Sequence, residues 1–239
     1  MKKWIKNLKF LGLCVVCTAL ILLGGHYVGV WQARQDAAAL KTGEVREVAV
    51  KQVIDGDTLL LQAGDEKLRL TGIDAPESAH WEQSKNTVYG ALASDHLKEL
   101  VRAGSSVWIY LPDRTGAPDV QAGADFHANA DDPEEGAAAD TGSASGSDGA
   151  PRDRDNYDRL LRLVWTKRPD ISGGLTEDIL RESLNGRMLL DGYAVAYIMD
   201  EEPWGDIFYR FQKEAMDSGA GLWADPGWIA HAAVNELIQ

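Results

Sequence analysis

The chain has 239 residues, 45% of them apolar and 26% charged, which is typical of a globular protein and leaves room for one or two domains. The net charge of −13 is uneven, with about +4 in residues 1–45 and about −8 in residues 113–155. No stretch of the predicted folded part is a field of Lys and Arg. This balance excludes a protein that holds DNA or RNA by neutralising many phosphates at once. Any chemistry on nucleic acid would need a small, local positive site.

The N-terminus is predicted to enter a membrane. Four lysines among the first nine residues precede residues 10–33, which carry no Asp, Glu, Lys or Arg, and about 20 apolar residues suffice to cross the hydrocarbon core. We favour an uncleaved anchor over a cleaved signal peptide, because the run is long and ends in bulky residues around Trp31. The positive-inside rule then places the rest of the chain outside the cytoplasmic membrane; signal cleavage would make it secreted. Cys14 and Cys17 both lie in this run, so no disulfide is possible in the remainder.

After the anchor the pattern predicts five short strands and three helices. The strands are expected around Val48 and Val50, at 58–61, at 68–70, at 106–111 and at 160–165. The helices are expected at about 84–103, through Ile179, Leu180, Leu184 and Met188, and through Ile207, Phe208, Phe211 and Ala215. Five strands with a helix after the third favour an α+β fold, built on a small Greek-key barrel of the OB type.

Residues 112–156 interrupt this pattern and are rich in Asp, Ala, Gly and Ser. Because low hydrophobicity and high net charge cannot offset the entropy of ordering, we interpret them as a disordered acidic insertion. Alternatives are weak calcium capture, inhibition of a basic site, or repulsion of long polyanions. In chain order, we predict an anchor or signal at 1–35, a linker at 36–45, a folded domain at 46–225 that contains the insertion, and a tail at 226–239. The amphipathic pattern of the tail favours packing on its own domain.

Three short stretches at predicted strand ends carry the polar chemistry. Residues 54–58 read Ile-Asp-Gly-Asp-Thr, residues 68–77 read Leu-Arg-Leu-Thr-Gly-Ile-Asp-Ala-Pro-Glu, and residues 155–159 read Asp-Asn-Tyr-Asp-Arg. Each is weak by itself, because Asp-Gly-Asp is a frequent hairpin turn and Asp-Ala-Pro-Glu can simply begin a helix. Their ordered occurrence across one barrel pattern is the specific signal.

The residue types in these stretches suit phosphodiester hydrolysis. Asp57, Asp74 and Glu77 offer hard oxygen ligands for Ca²⁺ or Mg²⁺, and the absence of nearby Cys or His argues against zinc. Arg69 and Arg159 offer planar donors that match phosphate oxygens. Metal-binding acids beside phosphate-binding arginines are what the reaction needs, since negative charge accumulates on the phosphate oxygens as water attacks.

Taken together, the three stretches resemble the active-site segments of the staphylococcal nuclease (thermonuclease) family. The resemblance extends over about residues 46–111 and 157–224. It implies that Asp57 and Asp74 are calcium ligands, completed by the backbone carbonyl of Ala75. It also implies that Arg69 and Arg159 bind the phosphate.

The resemblance further implies that Glu77 is the general base for the attacking water and that Tyr157 and Tyr197 line the nucleotide pocket. Met199 stands where the best-known member of the family has another aromatic residue. The activity implied is calcium-dependent cleavage of DNA and RNA to 3′-phosphate and 5′-hydroxyl ends. We expect a monomer that acts on single-stranded or short substrates. The alternative is a catalytically silent OB-fold module that binds nucleic acid or protein.

Overall fold

A computed structural model describes residues 40–76, 88–112, 153–198 and 202–234. The predicted membrane segment, Glu77, Met199 and residues 113–152 of the insertion lie outside these ranges, so what was predicted for them stays a prediction. Within the described ranges, no helix has both the length and the apolar character needed to cross a membrane.

Five strands close into a barrel. The strands in the described part of the chain are β1 (Val45–Val53), β2 (Thr58–Leu61), β3 (Lys67–Leu70), β4 (Ile73–Asp74), β5 (Ser106–Tyr110), β6 (Leu160–Trp165) and β7 (Val195–Ala196). The barrel order is β1-β2-β3-β6-β5, and β5 pairs back onto β1. Only β3 and β6 run parallel in this barrel; the other neighbours are antiparallel. The five predicted strands are confirmed, and a closed barrel with helices is the architecture expected of an OB fold.

Strand β1 makes the closure possible because it belongs to both halves of the barrel. Its first half, from Val45 to Ala49, pairs with β5, and its second half, from Val50 to Val53, pairs with β2. The register shifts between Val50 and Gln52, and such a bulge bends a strand and increases its twist. Apolar side chains of the strands then fill the interior. Fully buried examples are Val50, Leu59, Leu61, Leu68, Leu70, Val107, Ile109, Leu160 and Leu163.

Helices pack against the barrel at β1 and β6. Those described are α1 (Val88–Leu100), α2 (Glu177–Arg181), α3 (Leu184–Leu190), α4 (Gly205–Ser218) and α5 (Pro226–Val234), with a 3₁₀ turn at Gly221–Ala224. The single helix predicted through Ile179 and Met188 was wrong, because the chain turns between α2 and α3. Ser183 caps α3 by accepting a hydrogen bond from the Gly186 amide at 2.9 Å. A Cβ at Gly186 would lie 2.1 Å from the Leu180 carbonyl oxygen, so the close approach of the two helices requires glycine.

The folded part extends beyond the predicted boundaries at both ends. Leu40, which the sequence analysis placed in the linker, is buried in the core. At the other end, Trp228 of α5 is buried in edge-to-face contact with Tyr89 at 5.4 Å and with Trp223 at 5.8 Å between ring centroids. The tail therefore packs on its own domain through Trp228 and Ala232.

Asn185 ties α3 to the barrel wall. Its side-chain amide donates hydrogen bonds to the carbonyl oxygens of Thr71 at 2.8 Å and Arg162 at 3.2 Å, and its oxygen accepts one from the Val164 amide at 3.0 Å. Thr71 follows β3 directly, and Arg162 and Val164 belong to β6. One buried side chain thus fixes the turn after β3 against β6.

We expect Asn185→Ala to lower the free energy of unfolding by about 3 kcal/mol, because the buried backbone groups that it satisfies lose a partner at about 1–3 kcal/mol each. Urea denaturation followed by circular dichroism measures this. The exposed Asn156→Ala is the matched control and should change stability by no more than about 0.5 kcal/mol. Equal stabilities for the two variants would contradict the role given to Asn185.

Candidate active site

The barrel brings the three polar stretches together at one end. Thr58, the first residue of β2, lies opposite Arg69 near the end of β3. Arg69 in turn lies opposite Leu161 of β6, two residues after Arg159. The parallel pairing of β3 with β6 therefore places segments about 90 residues apart in the chain beside each other.

The guanidinium of Arg69 is the centre of the cluster. Its Nη1 lies 2.7 Å from Asp57 Oδ2, and its Nη2 lies 2.5 Å from Asp74 Oδ1. Nη2 also donates a hydrogen bond to the carbonyl oxygen of Ile73 at 3.3 Å. Both predicted calcium carboxylates thus meet on one predicted phosphate-binding arginine.

Asp57 is a deeply buried acid. Its Oδ1 accepts a hydrogen bond from the Thr58 hydroxyl at 2.8 Å, and its Oδ2 accepts one from the Ala75 amide at 3.3 Å. Burial raises the pKa of Asp57 from 3.8 to about 6, although Arg69 acts in the opposite direction. Burial also raises the pKa of Asp74, again against the charge of Arg69. Both acids are therefore costly to keep ionised in this position.

Gly56 allows the turn that carries Asp57 to approach its neighbours. A Cβ at this position would lie 2.6 Å from the Ala75 Cβ and 2.8 Å from the Ala93 Cβ. Those two side chains have no flexible end that could move aside. The small residues at 56, 75 and 93 therefore set the depth at which Asp57 sits against Ala75 and α1.

Arg159 is held by two residues that the sequence analysis did not assign to the site. Its Nε lies 2.6 Å from Asp155 Oδ2, and its Nη1 donates a hydrogen bond to the Thr58 hydroxyl at 3.3 Å. Asp155 Oδ1 also accepts the backbone amides of Tyr157 and Arg159, both at 2.9 Å. An Asp that binds the amide two residues later forms an Asx turn, and this spacing in residues 155–159 was the signal that could have identified Asp155.

The predicted nucleotide-contacting tyrosines are both accessible. Tyr157 is 79% exposed, with its ring centroid 5.4 Å from the carbon of the Arg159 guanidinium. Tyr197 is 48% exposed, and its amide donates to the Gly72 carbonyl oxygen at 3.0 Å, next to the small β4–β7 sheet that carries Asp74. Tyr157 thus lies two residues before Arg159 in the chain, and Tyr197 directly follows the strand that pairs with the strand of Asp74.

Residues 153–156, which composition assigned to the insertion, belong to the folded domain. Arg154 pairs with the buried Glu66, and Asp153 Oδ1 lies 2.5 Å from Nη2 of the buried Arg162. The insertion therefore ends earlier than predicted, because these charges have partners on the barrel. Composition could not reveal this, since the partners are far away in sequence.

The donor atoms fit a hard divalent cation, although no group of three or more His, Cys, Asp or Glu side chains that could hold a metal ion occurs among the described residues. The two carboxylates of Asp57 and Asp74 share one guanidinium, and the third predicted acid, Glu77, lies outside the described ranges. A buried acid such as Asp57 gains from a cation that offsets its burial. Carboxylate oxygens suit Ca²⁺ or Mg²⁺.

The described part of the chain is thus a closed five-stranded barrel with two acids and two arginines at or next to its strand ends. A family model described as staphylococcal nuclease homologue matches residues 143–225. The predicted resemblance is confirmed over this part of the chain, which contains Arg159, Tyr157 and Tyr197. Comparison with curated proteins found no match. Asp57, Arg69 and Asp74 lie before the matched residues, and the fold brings them to Arg159.

We expect Asp57→Asn to stabilise the protein in EDTA at pH 7 but not at pH 4. An acid whose pKa is raised binds its proton more tightly in the folded state, so stability falls as pH rises from about 4 to about 6. Asp57→Asn does not lose stability in this way, because the amide does not ionise. The difference in free energy of unfolding between the variant and the wild type should therefore grow by about 1–3 kcal/mol from about pH 4 to about pH 6. Urea denaturation across this pH range measures it. Parallel stability curves for variant and wild type would contradict the burial argument.

Proposed function

We propose that this protein is a calcium-dependent nuclease that hydrolyses phosphodiester bonds of DNA and RNA and leaves 3′-phosphate and 5′-hydroxyl ends. One observation carries the proposal. Arg69 binds Asp57 directly, while Arg159 reaches the same carboxylate through the Thr58 hydroxyl. Two phosphate-matching donors and a buried acid are thereby collected from three distant stretches of the chain.

The chemistry follows from where these charges sit. Arg69 and Arg159 supply positive charge and N–H donors for the phosphate oxygens on which negative charge grows as water attacks. Their rigid positions remove the need to reorganise donors during the reaction. When bound by Asp57, Asp74 and the Ala75 carbonyl, a calcium ion would add charge stabilisation beside the same phosphate. Glu77 is proposed to orient the attacking water and take its proton.

The substrate class follows from the charge distribution. A net charge of −13 repels long polyanions, whereas the arginines form a local positive site. Tyr157 and Tyr197 are exposed beside that site and offer faces on which unpaired bases can stack. These features favour short or single-stranded nucleic acid, bound by a monomer.

A catalytically silent binding module is the second candidate, favoured by the exposed tyrosines alone. A binder needs the arginines and aromatic rings but gains nothing from acids beside a phosphate, because like charges repel. Asp57 and Asp74 sit directly on Arg69 and would reduce its attraction for phosphate unless a cation takes their charge. This arrangement favours the nuclease.

We also propose that residues 10–33 anchor the protein in the cytoplasmic membrane with the nuclease domain outside. The proposal rests on the charge-free length of that run and on the lysines before it. Secretion after signal cleavage is the alternative.

We expect the full chain in detergent to cleave a single-stranded DNA oligonucleotide with Ca²⁺ and not with EDTA. The products should carry 3′-phosphate ends, which end-labelling before and after phosphatase treatment identifies. Binding of the oligonucleotide without cleavage in Ca²⁺ would favour the binding module. Cleavage that persists undiminished in EDTA would exclude the metal from the reaction.

We expect Arg159→Ala to lower kcat by about 10²–10³, the usual loss for one electrostatic donor in a transition state. Glu77→Gln should cause a loss of similar order, because the water loses its base. Arg168→Ala is the matched control, since Arg168 lies over the Trp108 ring just beyond the other end of β6, and it should leave kcat within about twofold. Full activity of the Arg159 variant would show that the site has been misidentified.

A further inference from the structure

Thr58 lies between the two halves of the site. It is the first residue of β2, and its side chain is buried. Its hydroxyl donates to Asp57 Oδ1 at 2.8 Å and accepts from Arg159 Nη1 at 3.3 Å. The same atom therefore contacts an acid proposed to bind calcium and an arginine proposed to bind phosphate.

A hydroxyl is a short group that can make both contacts from this position. It has one hydrogen to donate and lone pairs to accept, whereas a carboxylate has only acceptors and an aliphatic side chain has neither. A buried carboxylate attracts a nearby guanidinium strongly, and a direct pair would neutralise both charges. A hydroxyl inserted between them satisfies both groups while keeping Arg159 apart from Asp57.

The other contacts of Asp57 and Arg159 support this role. Asp57 Oδ2 is already engaged by Arg69 and by the Ala75 amide. Arg159 Nε is engaged by Asp155. Two anchors, Asp155 and Thr58, thus fix the plane of the Arg159 guanidinium. Its Nη2 makes no hydrogen bond to any residue in the described ranges, and this is the group left to donate to a phosphate oxygen.

We infer that Thr58 is a positioning residue that holds Arg159 at the phosphate and separates it from Asp57. The inference rests on the proposed nuclease function and goes beyond it by assigning a role to a neutral side chain. Loss of the hydroxyl frees Arg159 to turn toward Asp57, which removes a donor that acts in the transition state.

The test compares Thr58→Val, which keeps the shape of the side chain, with Thr58→Ser, which keeps the hydroxyl. We expect Thr58→Val to lower kcat and kcat/KM together by about tenfold or more, the pattern for an interaction made only in the transition state. Thr58→Ser should retain activity within about threefold. The assay is calcium-dependent cleavage of single-stranded DNA by the full chain in detergent.

Two controls separate positioning from stability. Thr176→Val removes the hydroxyl of a half-buried residue that caps α2, so it should lower the melting temperature and leave kcat unchanged. In an Arg159→Ala background, Thr58→Val should change kcat by less than about twofold, because the group that it positions is already absent. Circular dichroism verifies that each variant is folded. If Thr58→Val does not fold, Thr58→Ala replaces it in every comparison.

The outcomes distinguish this inference from the function on which it rests. If the wild-type chain shows no calcium-dependent cleavage, the proposed function fails. If the wild type cleaves and Thr58→Val matches it, the function stands and the inference is overturned. The inference is also overturned if Thr58→Ser is as impaired as Thr58→Val, or if the effect of Thr58→Val is undiminished without Arg159.

Discussion

A single guanidinium, that of Arg69, joins the turn before the second hairpin of the barrel to strand β4 after it. Without it, the ionised Asp57 and Asp74 would repel each other and push that turn and β4 apart. Burial of Asp57 destabilises the ionised carboxylate, so the fold tolerates it only beside a cation. The buried acids of the site therefore lower the stability of the fold, and the same packing holds the charges of the site in fixed positions.

The parallel pairing of β3 with β6 extends this arrangement to the second half of the chain. It lines up the strand that carries Arg69 with the strand that follows Arg159. Asn185 then fixes the turn after β3 against β6 from the outside of the barrel. The acids and the second arginine thus share one rigid frame although the insertion separates them in sequence.

Much of the barrel could be predicted because β1 alternates apolar and polar residues, β2, β5 and β6 are short apolar runs, and Gly and Asp turns separate the first three strands. The break between α2 and α3 was missed, since the apolar spacing of Ile179 and Met188 continues across it and only the Ser183 cap marks it. Strands β4 and β7 have two residues each, too few for any periodic signal. The acids and arginines were predicted from their residue types and from the resemblance of the three stretches that contain them. The roles of Thr58 and Asp155 depend on tertiary contacts that no local pattern records.

Helix α5 lies beyond the last residue of the family match, yet it contributes an aromatic ring to the start of α1. The Tyr89 hydroxyl also donates to Asp225 at 3.3 Å, the residue where the match ends. A chain truncated after residue 225 would keep every acid and arginine of the site, but it would lose the contact between Trp228 and Tyr89. The beginning of α1, eleven residues after Glu77, is consequently held in place by Asp225 and by Trp228 of α5. A domain boundary placed at the end of the family match would therefore expose Tyr89 at the start of α1 to solvent.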